Sequence, residues 1–378
     1  MKRSVKALVA GFALLFSINA AQASDIKIGT FLAVTGPASF LGDPELKTLQ
    51  MYVKKINDEG GVIGRKIKLI HYDTGANPKK AVNFAKRLIK KDRVDIIVGA
   101  STSGTTMAVI PIVQKAKIPF ISMAGSVKIV EPVKKWVFKT PHTDKMAARK
   151  IFIDMNKRDI KKVGLISGSG GFGKSGRGQV LALASEYGIT ITADESYGKK
   201  DTDMTAQLSK IRATNPDAIL NFGFGSGPAI VTKNIRQLGI KLPIYQSHGV
   251  ASKKYINLAG SAAEGVRLPA ASLLVASMLP SSHPQTEVIQ AYKNNFEAKH
   301  GPVSTFGGHA YDALYLAVEA IKRAGSTNKA RVRNEIENTK NFLGAGGIFN
   351  MSSSDHLGLG LNAFKMLEIK NGDWSIVE

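Results

Sequence analysis

Residues 162–188 read KVGLISGSGGFGKSGRGQVLALASEYG, and the way this stretch folds decides the architecture. KVGLIS (162–167) is an apolar run of strand length, GSGGFGKS (168–175) is a glycine-rich connection, and GQVLALASEYG (178–188) reads as a helix. Strand, short loop and helix are half of a βαβ unit. GSGGFGKS also satisfies GxxxxGKS, the pattern of a loop that cradles phosphate with backbone N–H groups while its lysine supplies charge, so a nucleotide site is a competing reading. The surrounding sequence has to choose between them.

Upstream, DIKIGTFLAV (25–34), KIKLIHYD (66–73), VDIIVGA (94–100) and IPFISM (118–123) read as strands, being rich in β-branched residues and bounded by Gly, Pro or Asp. PELKTLQMYVKKIND (44–58) sets Leu46, Leu49, Val53 and Ile56 at helical spacing, and Asn77-Pro78 is a start signal for a helix through NPKKAVNFAKRLIKKD (77–92). After WVFKTP (136–141) the alternation begins again. Helix 143–157 leads into KVGLIS, then strand 188–197, helix 203–216, strand 217–224, helix 228–239 and strand 242–247 follow. Two βαβα series predict two parallel sheets, each covered by helices. Residues 284–301 and 307–325 read as strong helices, and FKMLEIKNGDW (364–374) as a last strand ending in a turn.

The amino terminus carries Lys2, Arg3 and Lys6, then ALVAGFALLFSI (7–18), then Ala21-Gln22-Ala23. A basic start, a short apolar core and small residues at the end predict a secretory signal peptide cut after Ala23, because the apolar run is too short to span a bilayer. The chain has no cysteine, which excludes disulfides and lipid attachment at a cysteine. The formal charge is +23, but the lysines are spread over helices without a basic stripe interleaved with aromatics, so no nucleic-acid partner is expected. The seven histidines form no ligand-spaced cluster, so no metal is expected either.

Four segments carry a family resemblance: TGPASFLGDPE (35–45), INDEGGVIGRKIKLIHYDTGANPKKAV (56–82), VGASTSGTTMAVIPIVQKAKIPFISMAGS (98–126) and YQSHGVASKKYINLAGSAAEGV (245–266). In this order and over nearly the whole chain, they resemble the type I periplasmic binding proteins, in the branch around the Leu/Ile/Val-binding proteins of ABC importers. The resemblance implies an α/β fold of two doubly wound parallel-sheet domains joined by three hinge crossovers. It implies lobes of residues 24–141 plus 269–356 and 142–268 plus 357–378, closing over a small ligand. It further implies a periplasmic, monomeric, non-enzymatic protein without cofactor, whose partners are the ligand and the membrane permease subunits of an importer.

The family's pocket carries over position by position. Ser103 is similar to the serine that meets a ligand carboxylate, with Ser101 and Thr102 beside it. Where the family has S-P-x-A-T, this chain has Ser122-Met123-Ala124-Gly125-Ser126; Ser126 would replace the threonine and Ala124 would offer backbone atoms. Phe40, Leu41, Phe224 and Phe306 fall at apolar pocket positions. Phe172 stands where the family has a tyrosine that closes over the ligand, which turns GSGGFGKS into a flexible lid loop and Lys174 into a surface charge. His248 replaces a glutamate that accepts the ligand's α-ammonium group. A neutral imidazole offers no full negative charge to an ammonium. The expected cargo is therefore a carboxylate without a free α-amino group, an aromatic acid first, with a branched-chain or other amino acid or amide as the alternative.

Two enzyme readings remain for comparison. A nucleotide hydrolase also needs a strand ending in an acidic residue for magnesium, and the nearest candidate, IFID (151–154), reads as helix. A dinucleotide enzyme is suggested by GxGxxG in GSGGFG, with Asp194 and Glu195 near the ribose-binding position.

Overall fold

The computed structural model describes residues 24–377. The first sheet contains β1 (Ile26–Leu32), β2 (Ile67–Asp73), β3 (Ile96–Val98), β4 (Phe120–Ser122) and β5 (Val137–Lys139), in the spatial order β2-β1-β3-β4-β5. All its pairings are parallel. The connecting helices are α1 (Ser39–Asp58), α2 (Pro78–Arg87) and α3 (Ser103–Ala116). β3 and β4 are buried throughout, as expected of short central strands covered on both faces.

The chain then enters a second body through α4 (Asp144–Lys157), β6 (Lys162–Gly168), α5 (Gly171–Leu183), β7 (Thr190–Tyr197), α6 (Thr205–Ala213), β8 (Ala218–Phe222) and α7 (Gly227–Gln237). β9 (Ile244–Gln246), α8 (Lys253–Ala259) and β10 (Arg267–Ala271) complete its parallel part. The chain returns to the first body for α9 (Thr286–His300), α10 (Thr305–Ala324), α11 (Lys329–Glu337) and a small ribbon of β11 (Phe342–Leu343) and β12 (Ile348–Phe349). α10 packs along α1 and contributes Leu314, Ala317 and Ile321 to the core of the first sheet.

A third passage leads to β13 (Phe364–Lys370) and β14 (Asp373–Ile376), which extend the second sheet to the order β14-β13-β10-β9-β8-β6-β7. This edge is antiparallel, so the second sheet is mixed rather than wholly parallel. Asn371-Gly372, both at positive φ (52° and 70°), form a two-residue connection that matches the twist of a tight hairpin, so the expected closing turn of one strand joins β13 to β14.

Passages between the two bodies follow β5, follow β10 and precede β13. They differ from the sequence boundaries at two places. β10 continues through position 268 to Ala271 within the second sheet, while Leu357, Leu359 and Ala363 still pack in the first core. Among the described residues, no helix is long and apolar enough to cross a membrane.

The quoted stretch also folds differently from its sequence reading. The helix begins at Gly171, so only Ser169 and Gly170 separate β6 from α5, and GSGGFGKS forms neither a phosphate-wrapping loop nor a flexible lid loop. Four glycines in α5 are costly for a helix, but two of them allow close packing. A Cβ on Gly173 would lie 1.9 Å from the Gly168 carbonyl oxygen, and one on Gly176 would lie 2.0 Å from the Phe222 ring. α1 likewise starts earlier than its apolar spacing indicates, at Ser39, because Gly42 lets it press against the Ala33 backbone.

Candidate functional site

The carboxyl ends of the parallel strands in both sheets face one cleft, where open α/β sheets usually place their ligands. The segments after β1, β3 and β4 meet those after β6, β8 and β9 around a cavity of about 40 Å³. Leu41, Ser101, Thr102, Ser103, Phe172, Phe224, His248 and Phe306 line this cavity. Phe40, Ala124 and Ser126 stand just outside it. Phe40 packs edge-on against Phe306 with ring centroids 5.5 Å apart, Ala124 is buried beside Ser122, and Ser126 is turned toward Ser175.

The three hydroxyls after β3 have different tasks. Ser101 Oγ accepts from the Ala33 amide at 2.9 Å and donates to the buried Glu45 carboxylate, so it ties α1 to the β3 end. Burial holds the Glu45 carboxyl well above its ordinary range, the Ser101 hydrogen bond opposing this only in part. Thr102 is the N-cap of α3, its hydroxyl accepting from the Thr105 amide at 3.4 Å. Ser103, the first helical residue, accepts from the Ser126 amide at 3.2 Å, which leaves its hydroxyl hydrogen for an acceptor in the cavity. The first N–H groups of α3 lack intrahelical partners, and the helix dipole favours an anion there.

The opposite wall is aromatic and carries one imidazole. Phe172 lies in the first turn of α5, with ring centroids 5.3 Å from Phe222, 6.0 Å from Phe224 and 5.2 Å from His248. Lys174 is exposed, and Asp194 is held by Arg177, whose Nε donates at 2.8 Å; neither faces the cavity. His248 Nδ1 and Nε2 are buried and have no hydrogen-bond partner. Burial holds this imidazole well below its ordinary pKa, and the nearby His142 and Lys139 act in the same direction; the His142 carbonyl opposes them without a well-formed hydrogen bond.

Several lining residues were not singled out in the sequence: Met123, Gly125, Pro141, Gly249 and His309. His309 lies one helical turn after Phe306 on α10, a spacing that puts both on one face. Its Nδ1 is buried without a partner, and burial, with His142, His248 and Lys139, holds its pKa well below the ordinary value. His142 stacks on Phe364 at 3.9 Å where two of the interbody passages meet, and burial lowers its pKa to about 3. Beneath it Lys139, fully buried, donates to the carbonyls of Pro141 (2.6 Å) and His142 (3.3 Å), and burial lowers its pKa to about 7.

Direct contacts join the two walls. Ser126 and Ser175 share a hydrogen bond of 2.6 Å, Thr305 Oγ1 donates to the Ala251 carbonyl at 3.3 Å, and the α3 and α5 starts touch at Gly104 and Gly171. Two α/β bodies, three connections and a shared cleft define a two-lobed solute-binding protein.

The chain belongs to the periplasmic binding protein family, whose family model matches residues 25–373. It is similar to the Leu/Ile/Val-binding protein homolog 3 of Brucella melitensis, at 26% identity over 320 residues and 84% of each chain. An extracellular ligand-binding receptor from Rhodopseudomonas palustris HaA2 has a similar structure, with 30% identity and a TM-score of 0.88 over 94% of this chain and 100% of that one. The branched-chain amino acid transporter substrate-binding protein of Streptococcus pneumoniae, solved in complex with isoleucine, aligns with 25% identity and a TM-score of 0.83 over 94% and 99% of the two chains. By their names these relatives are a binding protein, a ligand-binding receptor and a transporter's substrate-binding protein.

Proposed function

We propose that this chain is exported by a signal peptide cut after Ala23, a segment outside the described residues, and captures a small carboxylate for an ABC importer. The observation that carries the reading is the start of α3, where Ser103 has a free hydroxyl hydrogen at a helix N-terminus facing a cavity lined by phenylalanines and two imidazoles. The carboxylate docks there on the first lobe. The second lobe then brings Phe172, Phe224 and His248 over the apolar body, and the closed form is the one presented to the permease.

Two of the named relatives support the branched-chain amino acid alternative better than the aromatic acid: one carries Leu/Ile/Val in its name, and the other is a branched-chain amino acid transporter protein solved with isoleucine. A leucine-like branched body is therefore the first choice, and branched-chain amino acids and their amides are the first ligands to test. One observation favours a second reading with an aromatic body. Phe40, Phe306, Phe224 and Phe172 form a continuous chain of ring contacts, geometry that also suits a ligand ring.

A thermal-shift screen against branched-chain amino acids, their amides, aliphatic acids, aryl acids and ATP tests both, because a ligand of the native state raises stability by mass action. Stabilisation by carboxylates but not ATP is expected. A response to ATP alone would overturn the proposal.

A further inference from the structure

The cavity places its polar groups close together at one end. Ser103 Oγ accepts from the amide of Ser126, and the residue before it, Gly125, lies against His248: a Cβ on Gly125 would stand 2.8 Å from His248 Nε2. His248 therefore borders the carboxylate end of the cavity, where a ligand's α-carbon would lie, rather than the end of its apolar body. His309 lines the same cavity from the first lobe. Three nitrogens of these two buried rings, His248 Nδ1 and Nε2 and His309 Nδ1, have no partner. Buried polar groups are normally satisfied, so this cluster is built for something that arrives.

We propose that His248 and His309 select an uncharged oxygen on the α-carbon, so that the preferred ligands are 2-oxo or 2-hydroxy carboxylic acids in place of 2-amino acids. The inference rests on the reading of the Ser103 end as a carboxylate site. A neutral imidazole carries one N–H and one bare nitrogen, so it donates to a ketone oxygen and either donates to or accepts from a hydroxyl. An α-ammonium group finds no counter-charge, since no acidic residue lines the cavity. Three carboxyls stand behind the lining, of which Asp144, its pKa raised by burial, accepts from the amides of Val127 and Lys145 at 2.9 Å each. Asp312 accepts from the amides of Ala345 (2.5 Å) and Gly346 (2.8 Å), and Glu45 is fully buried behind Ser101. Lys139, buried nearby with its pKa lowered by burial to about 7, supplies no negative charge either. Burying an unpaired ammonium beside it is strongly unfavourable.

The test is calorimetric titration of the purified protein with a matched series at pH 7.5: leucine, 4-methyl-2-oxopentanoate, 2-hydroxy-4-methylpentanoate and 4-methylpentanoate. The oxo or hydroxy acid is expected to bind at least ~10-fold more tightly than leucine and than the acid without an α substituent, about the effect of one to two net hydrogen bonds. His248→Glu is expected to reverse the order of leucine and the oxo acid. Leucine binding more tightly than both oxygen analogues in the unmodified protein overturns the inference and leaves the carboxylate reading in place. Equal binding of 4-methylpentanoate and the oxo acid overturns it as well, because His248 would then contribute nothing. If none of the series and no aryl acid binds, the carboxylate reading falls, and this inference with it. The unmodified protein decides each case even if the variant fails to fold.

Discussion

A methyl group at position 125 would lie 2.8 Å from His248 Nε2 and 2.8 Å from Phe172 Cε2, so a single hydrogen on Gly125 permits the two lobes to meet. Both obstructing atoms belong to the second lobe, so an alanine there acts on closure more than on folding. Gly125→Ala should lower affinity for any ligand that requires the closed form by roughly 10-fold or more, in line with about 1–3 kcal/mol for overpacking. The melting temperature of the ligand-free protein should move little. Titration, with small-angle scattering to read compaction on binding, checks this; a variant that binds normally would place the closed interface elsewhere. Ser103→Ala makes the complementary change, removing the donor while leaving the walls in place. It should weaken carboxylate binding by about 1–3 kcal/mol, the cost of leaving a buried charged group short of a hydrogen bond, measured in the same titration.

At the scale of the element, α5 explains why GSGGFGKS resembles a phosphate loop. Glycine is required at 173 and 176 by the closeness of Gly168 and Phe222, and Lys174 is exposed. Lys174→Ala should leave both stability and ligand affinity unchanged. Gly173→Ala should lower the melting temperature by several degrees, because its Cβ would meet the Gly168 carbonyl and neither backbone can move without shifting the strand. A thermal melt of the two variants separates these outcomes, and a marked loss of affinity in the lysine variant would restore a role for that charge. The sequence predicted β6, β8 and α4 closely, because apolar runs and helical spacing report burial directly. It missed the first turns of α1 and α5, where glycine is dictated by contacts with distant backbone and propensity points the other way. It missed the β13–β14 hairpin although Asn371-Gly372 stood in view. The site was partly legible for a different reason: Ser103, Phe172 and His248 match positions that the resembled family uses after strand ends, and all three line the cavity. His309 could be found only by noticing that it shares a helix face with Phe306.

The whole molecule adds a property that no sequence spacing revealed. His142, His248 and His309 come from a lobe-to-lobe passage, the second lobe and the first lobe, yet they meet with Lys139 under one cleft. Burial first, then mutual repulsion and Lys139, holds His248 and His309 below the ordinary imidazole pKa in this closed arrangement. Opening the cleft returns both rings to water, where an imidazole titrates near about 6.5. Above that pH both rings are neutral in both states, so neither ring contributes proton linkage to closure. Below it, the open form takes up protons that the closed form excludes, so acid favours opening. Apparent affinity for a monocarboxylate should therefore be level from pH 8 to about 6.5 and then fall, by up to about 10-fold per pH unit for each ring that titrates. His142, at the passage itself with a pKa lowered to about 3, adds the same sign to global unfolding in acid. Titrations at pH 8, 7, 6 and 5.5, with an aliphatic acid that stays ionised throughout, read the effect directly. Affinity that remains level to pH 5.5 would mean that these rings stay dry when the cleft opens. His309→Gln keeps a polar side chain at this position without a titrating ring and should make the fall shallower by up to one proton. In that variant a loss of slope at unchanged affinity above pH 7 distinguishes proton linkage from simple damage to the pocket.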